Sequence, residues 1–260
     1  MKRNSSAFRI STNKERSQLR GRLVKDKELF KQPHKSHLGE CPICFLPMPI
    51  DENKSSCFNC CCKSICNGCV YADYKSSGNI NCPFCREPGV NGDEENDKIL
   101  MKRVKANDPV ALNYMGRKRI DEGDIDKGVE YLKKAVELGD IDSHFRLGGI
   151  YYEGEVVEKD LEKAIHHYEK AAIGGHPQAR YNLGCFDGGN GNFERAVKHL
   201  IIAAEQGLEE SMKLLRDFFS AGQISKEELE STLCKHKAAI DATKSAQRDA
   251  GEAYSRRIGI

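Results

Sequence analysis

The sequence predicts a mostly α-helical chain, with a small metal-bound module followed by an α-helical solenoid of about three to four helical hairpins. Two observations predict it. Ten of the twelve cysteines lie between Cys41 and Cys85. Beyond Asp108, small residues recur at intervals of 32 and 36 positions.

The cysteines come first. The spacing holds three Cys-x2-Cys pairs: Cys41 and Cys44, Cys66 and Cys69, Cys82 and Cys85. Two intervening residues let one tight turn present both sulfurs to a single metal. A structural zinc takes four such ligands at about 2.3 Å. Three pairs supply six sulfurs, and the cluster Cys57, Cys60, Cys61, Cys62 must supply two more, which makes two zinc sites. A segment this short and polar buries little core, so metal binding would provide most of its folding free energy, on the order of 10 kcal/mol per site. No apolar stretch at the N-terminus reads as a secretory signal. Clustered thiols therefore point to metal rather than disulfides, in an intracellular setting, cytoplasmic or nuclear.

Charge narrows the partners. Residues 1–40 hold eleven Lys/Arg against four Asp/Glu, while the whole chain is only +2. Eight zinc-bound thiolates would bring the chain to about −2. That argues against nucleic-acid binding by the folded part, and no aromatic-interleaved basic patch or zinc-finger helix spacing accompanies the tail. No apolar run approaches the roughly 18 residues of a membrane span. Residues 1–38 read as a basic, disordered tail.

The motifs ECPIC, CCCKSICNGC and CPFCR resemble the RING finger family in an all-cysteine version with no histidine ligand. The resemblance implies interleaved pairs. Cys41, Cys44, Cys66 and Cys69 would share one zinc, and Cys82 and Cys85 would share the other with two central cysteines. Cys60 and Cys61 are the expected central pair. Cys57 and Cys62 stay open as alternatives, since adjacent thiolates on one metal demand an unusual local backbone. His34 and His37 lie close upstream as further ligand candidates. RING fingers hold a ubiquitin-conjugating enzyme without covalent chemistry of their own. The positions that would contact it here are Ile43, Val70 or Tyr71, Pro83 and Arg86. Arg86 would bridge enzyme and ubiquitin through its fixed fork of donors. Upstream, Leu29 and Phe30 in KELFKQP are candidates to pack on the module.

After Pro88 a polar linker leads into a short helix carrying Ile99, Leu100, Met101 and Val104, so residues 39–88 form the module and 89–107 the connection. Asp108-Pro109 then starts a helix, with Asp as cap and Pro in the first turn. From here Gly116, Gly148 and Gly184 recur, as do Gly139, Gly175 and Gly207, Ala135, Ala171 and Ala203, and the large residues Leu132, Tyr168 and Leu200. Small residues in this register suit close helix crossings, and the second glycine set suits helix ends. LGGIYYEG and DLEKAIHHYEKAAIGG resemble the Sel-one-like repeat, a relative of the tetratricopeptide repeat. That resemblance covers roughly residues 108–240. It implies repeats over 108–222 that bind a protein or peptide, and a C-terminal capping helix and tail over 223–260, with Leu229, Leu233 and Ile240 inward.

Several features read as structural. Tyr151, Tyr152 and Tyr168 belong between helices, and His166-His167 point in different directions on a helix surface. DGGNGN (187–192) lacks both the Gly-Lys-Ser/Thr ending of a phosphate loop and the glutamate of a calcium loop, so it reads as a turn. Cys185 and Cys234 read as buried apolar residues. No nucleophile–base constellation is found. Any activity would be that of a RING-type E3 ubiquitin-protein ligase with no covalent intermediate on this chain; the alternative is a non-catalytic zinc-containing adaptor.

Overall fold

The computed structural model describes residues 26–33, 36–90 and 92–258. Most of the basic tail, and His34, lie outside the described residues. The elements in chain order are α1 (Asp26–Leu29), β1 (Ser55–Phe58), β2 (Lys63–Cys66), α2 (Asn67–Ser77) and α3 (Asp93–Lys105). Eight helices follow: α4 (Pro109–Asp121), α5 (Ile125–Glu137), α6 (Ile141–Glu153), α7 (Leu161–Ile173), α8 (Pro177–Gly189), α9 (Phe193–Glu205), α10 (Glu209–Ser220) and α11 (Lys226–Ala242). The last is α12 (Ala246–Ile258). The chain is mostly helical, and it divides into two compact units. Among the described residues, one holds 26–37 and 144–239, the other 38–143 and 240–258.

The repeat register seen in sequence is a set of physical contacts. A Cβ added to Gly116 would sit 2.8 Å from the Leu132 side chain, and one on Gly148 would sit 2.7 Å from Tyr168. One on Gly184 would sit 2.9 Å from Leu200. The recurring glycine and the recurring large residue are thus two halves of one packing contact, the large side chain filling the space a Cβ would need. Leu132 and Leu200 are fully buried and Tyr168 nearly so. The second glycine set ends helices in the left-handed region, with φ of 88° at Gly139, 91° at Gly175 and 98° at Gly207.

Caps start the helices where the sequence places them. The Asp108 carboxylate accepts hydrogen bonds from the N–H groups of Val110 and Ala111, with Pro109 at the first position of α4. His176 does the same for α8, its Nδ1 accepting from the Ala179 N–H ahead of a helix that starts at Pro177. In the unit that holds 38–143, Asn113 donates to both Asp140 and Ser143 at 2.8 Å, locking the start of α6 to α4.

In the other unit the core runs through Val197, Leu200, Ala204, Met212, Leu215 and Ile224, with Leu229 packed against it. The inward face of α11 is not the one expected. Thr232 and His236 are buried, whereas Leu233 is 45 % exposed. Spacing explains it: with Leu229 inward, positions three and seven further on share its face, and Leu233 falls at the edge. His236 is held by a 2.8 Å contact between its Nδ1 and the Ala204 carbonyl. Cys234 is exposed, not buried, for the same reason of phase, and Cys185 is half-buried.

Leu29 and Phe30 do not pack on the cysteine module. Leu29 is fully buried against the repeat helices, where the buried Arg180 donates to its carbonyl at 2.7 Å and to that of Lys31 at 3.4 Å. Phe30 lies against the His199 ring, with Arg195 and Lys198 over its face. Asp26 pairs with Arg195, and Gln32 donates to Glu205. The segment 26–33 therefore covers part of the repeat surface within its own unit. His37 is no cysteine-site ligand either; its ring stacks on His176 at 4.3 Å.

His167 is more engaged than a surface residue, with its Nδ1 2.9 Å from that of His144, while His166 is exposed. In 187–192, Asp187 to Gly189 complete α8 and the turn proper is Asn190 to Asn192.

Candidate metal centres

The cysteine module is framed by two loops of the same construction. In the first, Cys41 N–H donates to the Leu46 carbonyl and Phe45 N–H to the Cys41 carbonyl, both at 2.9 Å. In the second, Cys82 N–H donates to the Glu87 carbonyl at 2.8 Å, and Arg86 N–H to the Cys82 carbonyl at 2.9 Å. Each loop closes through a residue in the left-handed region, Phe45 at φ 57° and Arg86 at φ 65°. This turn aims both sulfurs of a Cys-x2-Cys pair to one side and leaves the second intervening residue, Ile43 in one loop and Phe84 in the other, exposed.

Between the loops stands a hairpin. β1 and β2 pair antiparallel from Ser55 opposite Cys66 to Phe58 opposite Lys63. The turn joining them is 59–62. The Phe58 carbonyl accepts from both the Cys61 and Cys62 N–H groups, and Cys62 sits at φ 53°. The tight tip solves the problem of adjacent thiolates: Cys60 and Cys61 stay together while Cys62 turns away. Cys62 is buried among Leu100, Val104, Ala111, Leu112, Met115 and Ala135, so its thiol serves as an apolar core group. Cys57 lies on β1 opposite Ser64.

The fold gathers two foursomes of sulfur. Cys41, Cys44, Cys66 and Cys69 form one group and Cys60, Cys61, Cys82 and Cys85 the other, each with all sulfurs within 4.8 Å of one another. Within the first, Cys44 and Cys66 are 3.8 Å apart. Within the second, Cys61 and Cys82 are 3.7 Å apart and Cys60 and Cys85 3.4 Å. A disulfide requires about 2.05 Å. Four sulfurs at about 2.3 Å around one tetrahedral ion would lie about 3.8 Å apart along each edge. The donor set and its spacing therefore fit a closed four-thiolate site, and both groups can hold a metal ion, consistent with zinc.

The surroundings set the thiols apart from one another. Burial raises Cys60 and Cys69 far above the ordinary thiol range and pushes Cys61 up to about 11. Cys62, away from either group, rises to about 12 through burial and the nearby Asp108 charge. At Cys41 burial also acts upward, but the N–H groups of Cys44, Cys66 and Ile43 bring the thiol down to about 7. The core around the first group is mostly sulfur, with Met48 and Ile65 as its buried hydrocarbon and Leu38, Phe58 and Val70 alongside. So little apolar surface cannot hold a domain by itself.

The positions expected to meet a conjugating enzyme divide. Ile43 is 37 % exposed on the first loop. Arg86 is exposed just beyond the last cysteine, and its guanidinium pairs with Asp73 of α2 at 2.5 Å. Val70 packs into the first cysteine core, Pro83 is buried, and Tyr71 stacks at 4.7 Å on Tyr254 of α12. Sequence reasoning missed Phe45, 72 % exposed, and Phe84, 46 % exposed. Both lie in or just after the cysteine pairs, so the signal was there: an aromatic residue beside zinc-loop sulfurs whose neighbours have no core to give it.

Helices α4 to α9 answer to a known family model. Residues 109–140, 141–176 and 177–208 each match the Sel1 repeat. This stretch is a run of three Sel1 repeats. The matched boundaries coincide with the helix pairs α4–α5, α6–α7 and α8–α9, and α10–α11 extends the array by a pair that the family model does not match. No RING family match accompanies the cysteine module. No curated protein matches the chain. Among solved structures, a Sel1 repeat protein from Oxalobacter formigenes is 26 % identical over 47 % of this chain and 98 % of its own, with a TM-score of 0.41. A protective antigen of uropathogenic Escherichia coli displaying an SLR fold is 27 % identical over 64 % of this chain, with a TM-score of 0.48. The chain spans 37 % of that antigen's length. Sel1 repeats generally mediate contacts between proteins. No helix among the described residues is long and apolar enough to cross a membrane.

Proposed function

We propose that the chain is a two-zinc, RING-type ubiquitin ligase, intracellular and either cytoplasmic or nuclear, whose cysteine module receives a ubiquitin-conjugating enzyme and whose Sel1 repeats hold the substrate. The observation that carries the reading is the pairing of two like-built Cys-x2-Cys loops with exposed side chains that no core contact explains: Ile43 and Phe45 on one, Phe84 and Arg86 on the other. Apolar residues on rigid loops, with an arginine beside them, suit docking of a folded partner. The eight sulfurs Cys41, Cys44, Cys66, Cys69 and Cys60, Cys61, Cys82, Cys85 would hold the ions, which supply structural rigidity and no reaction step. Catalysis would be positional, since binding enzyme and substrate on one chain raises the effective concentration of the acceptor lysine. The thioester cysteine would belong to the conjugating enzyme.

A second reading, a zinc-stabilised adaptor that only assembles proteins, is favoured by one pair of observations. Pro83 is buried and Arg86 is already engaged by Asp73. An in-vitro ubiquitination panel decides between them, run on the full chain with Ile43→Ala, Phe84→Ala and Arg86→Ala variants and zinc content measured alongside. Ligase function gives ubiquitin chains that weaken in the variants while two zincs per chain remain. Full zinc loading with no transfer from any conjugating enzyme establishes the adaptor.

A further inference from the structure

The C-terminal helix α12 follows the repeat region in sequence, yet it packs on the cysteine module of its own unit. The closest approach is between two glycines. A Cβ on Gly68 would lie 2.6 Å from the Arg248 Cα, and one on Gly251 would lie 2.8 Å from the Gly68 Cα and the Asn67 carbonyl oxygen. Only a residue without a side chain fits at either position, so α2 and α12 meet backbone to backbone immediately beside Cys66 and Cys69. Tyr254 stacks on Tyr71, and Lys54 pairs with Glu252 at 2.9 Å, one turn further along the same helix.

This contact places two polar side chains on sulfur. Gln247 Nε2 donates to Cys69 Sγ at 3.2 Å, and Arg248 Nη2 to Cys44 Sγ at 3.5 Å. Arg248 is only 5 % exposed. Its Nη1 also donates to the carbonyls of Pro47 and Thr243 at 2.7 Å and its Nη2 to that of Leu46 at 3.2 Å. No carboxylate pairs with it among the described residues. A buried guanidinium without a counter-charge is unfavourable, so it demands a negative partner. Four thiolates around one divalent zinc carry a net charge of −2, and they are the negative charge that Arg248 faces.

We propose that Gln247 and Arg248 form the outer shell of the first metal centre, so that the zinc held by Cys41, Cys44, Cys66 and Cys69 is retained by the C-terminal helix. The inference rests on the two-zinc reading. Donors on thiolate sulfur spread its charge and fix its direction, and the buried cation offsets the surplus negative charge of the site; loss of such partners typically costs 10–100-fold in metal affinity. Among the described residues no side chain from outside the group donates to Cys60, Cys61, Cys82 or Cys85, whose side-chain sulfur contacts are with one another. The two centres should therefore respond differently to a change in α12.

The test is zinc release from the full-length protein to an excess of chromogenic chelator, with the freed cysteines trapped by N-ethylmaleimide and located by mass spectrometry. Wild type, Gln247→Leu, Arg248→Met and Arg248→Lys are compared with Arg256→Met, an exposed control on the same helix. The expected result is that one zinc per chain leaves roughly 10–100-fold faster in Arg248→Met and Gln247→Leu. The early alkylation then falls on Cys41, Cys44, Cys66 and Cys69, while the other four cysteines and the control keep the wild-type rate. Arg248→Lys, which keeps the charge and loses the fork, falls between. Gln247→Leu carries the test if Arg248→Met fails to fold by circular dichroism. Unchanged release in Gln247→Leu and a folded Arg248→Met, or equal acceleration at both centres, overturns the proposal. Wild-type protein without zinc would instead overturn the metal reading beneath it.

Discussion

The Arg86 guanidinium donates to the Asp73 carboxylate at 2.5 Å, tying the loop after the last cysteine pair to the middle of α2. Arg86 is largely exposed and Asp73 largely covered. An exposed pair of this kind contributes about 0–1 kcal/mol to folding. The pair instead holds a mobile cation in one place at the edge of the module. Arg86→Ala is expected to leave zinc content unchanged and to lower stability by less than about 1 kcal/mol in urea unfolding. Under the ligase reading the same variant loses most ubiquitin transfer, and a large loss of stability would show that the pair is structural.

Cys60 and Cys62 stand two residues apart and do opposite things. Cys60 belongs to a sulfur foursome, whereas Cys62 fills a core between α3 and α4. Cys60→Ala is expected to lose one zinc per chain. Cys62→Ala should keep both and cost about 1 kcal/mol, the effect of deleting one buried group of methyl size. Inductively coupled plasma mass spectrometry with thermal unfolding separates the two. Equal zinc loss in both variants would return Cys62 to the ligand set.

The parts legible in the sequence were those where residue type alone dictates a contact. Thiol spacing points to metal because three Cys-x2-Cys pairs each suit one tight turn that presents two sulfurs to one ion. Gly116 with Leu132, and Gly184 with Leu200, announce helix crossings because size must be complementary. The illegible parts are those that depend on a distant partner. In α12, AQRDAGEAYSRRI has no apolar stripe, since its docking uses Gly251, Arg248 and Tyr254 rather than a hydrophobic face. Leu29 and Phe30 likewise lie next to the module in sequence, yet their partners, Arg180 for Leu29 and His199 for Phe30, lie about 150 and 170 positions downstream. Cys62 was ambiguous because a thiol is equally a ligand and an apolar group.

Asp187 and His199 give the repeats a pH response whose two parts oppose each other. Burial pushes the Asp187 carboxyl up to about 6, and burial holds the fully buried His199 imidazole well below its usual range. A raised carboxyl favours the folded state as pH falls from 6 toward its unfolded value near 4. A depressed histidine disfavours the folded state as pH falls below its unfolded value of about 6.5. Asp187→Asn removes the first and keeps the second. It is expected to raise stability at pH 7 by up to about 3 kcal/mol, less whatever Arg195 returns from its 3.4 Å contact with the carboxylate. Stability should then fall more steeply than in wild type between pH 6.5 and 5.5. Hydrogen exchange of α8 and α9 amides at several pH values reads this unit alone, and a parallel pH dependence in both proteins would show that Asp187 is charged when folded.

Gly68 and Gly188 separate backbone crowding from helix propensity. Gly68 is the second residue of α2 and Gly188 the last but one of α8, end positions where the advantage of alanine over glycine is smaller than the ~1 kcal/mol of a helix interior. At Gly188 an added Cβ meets the tip of the Phe218 ring at 3.1 Å, a side chain that can turn aside. At Gly68 it meets the Arg248 Cα at 2.6 Å and the Arg248 nitrogen at 2.8 Å, atoms that move only if the whole of α12 moves. Gly188→Ala is therefore expected to be neutral or stabilising, and Gly68→Ala to cost about 1–3 kcal/mol despite the better helix former. Moving α12 also withdraws Gln247 and Arg248 from sulfur, so Gly68→Ala should release the first zinc faster while both remain bound at rest. Urea unfolding and chelator release on the two variants read these effects separately. Equal stability in both would mean that α12 yields without cost, and that its hold on the cysteine module is weak.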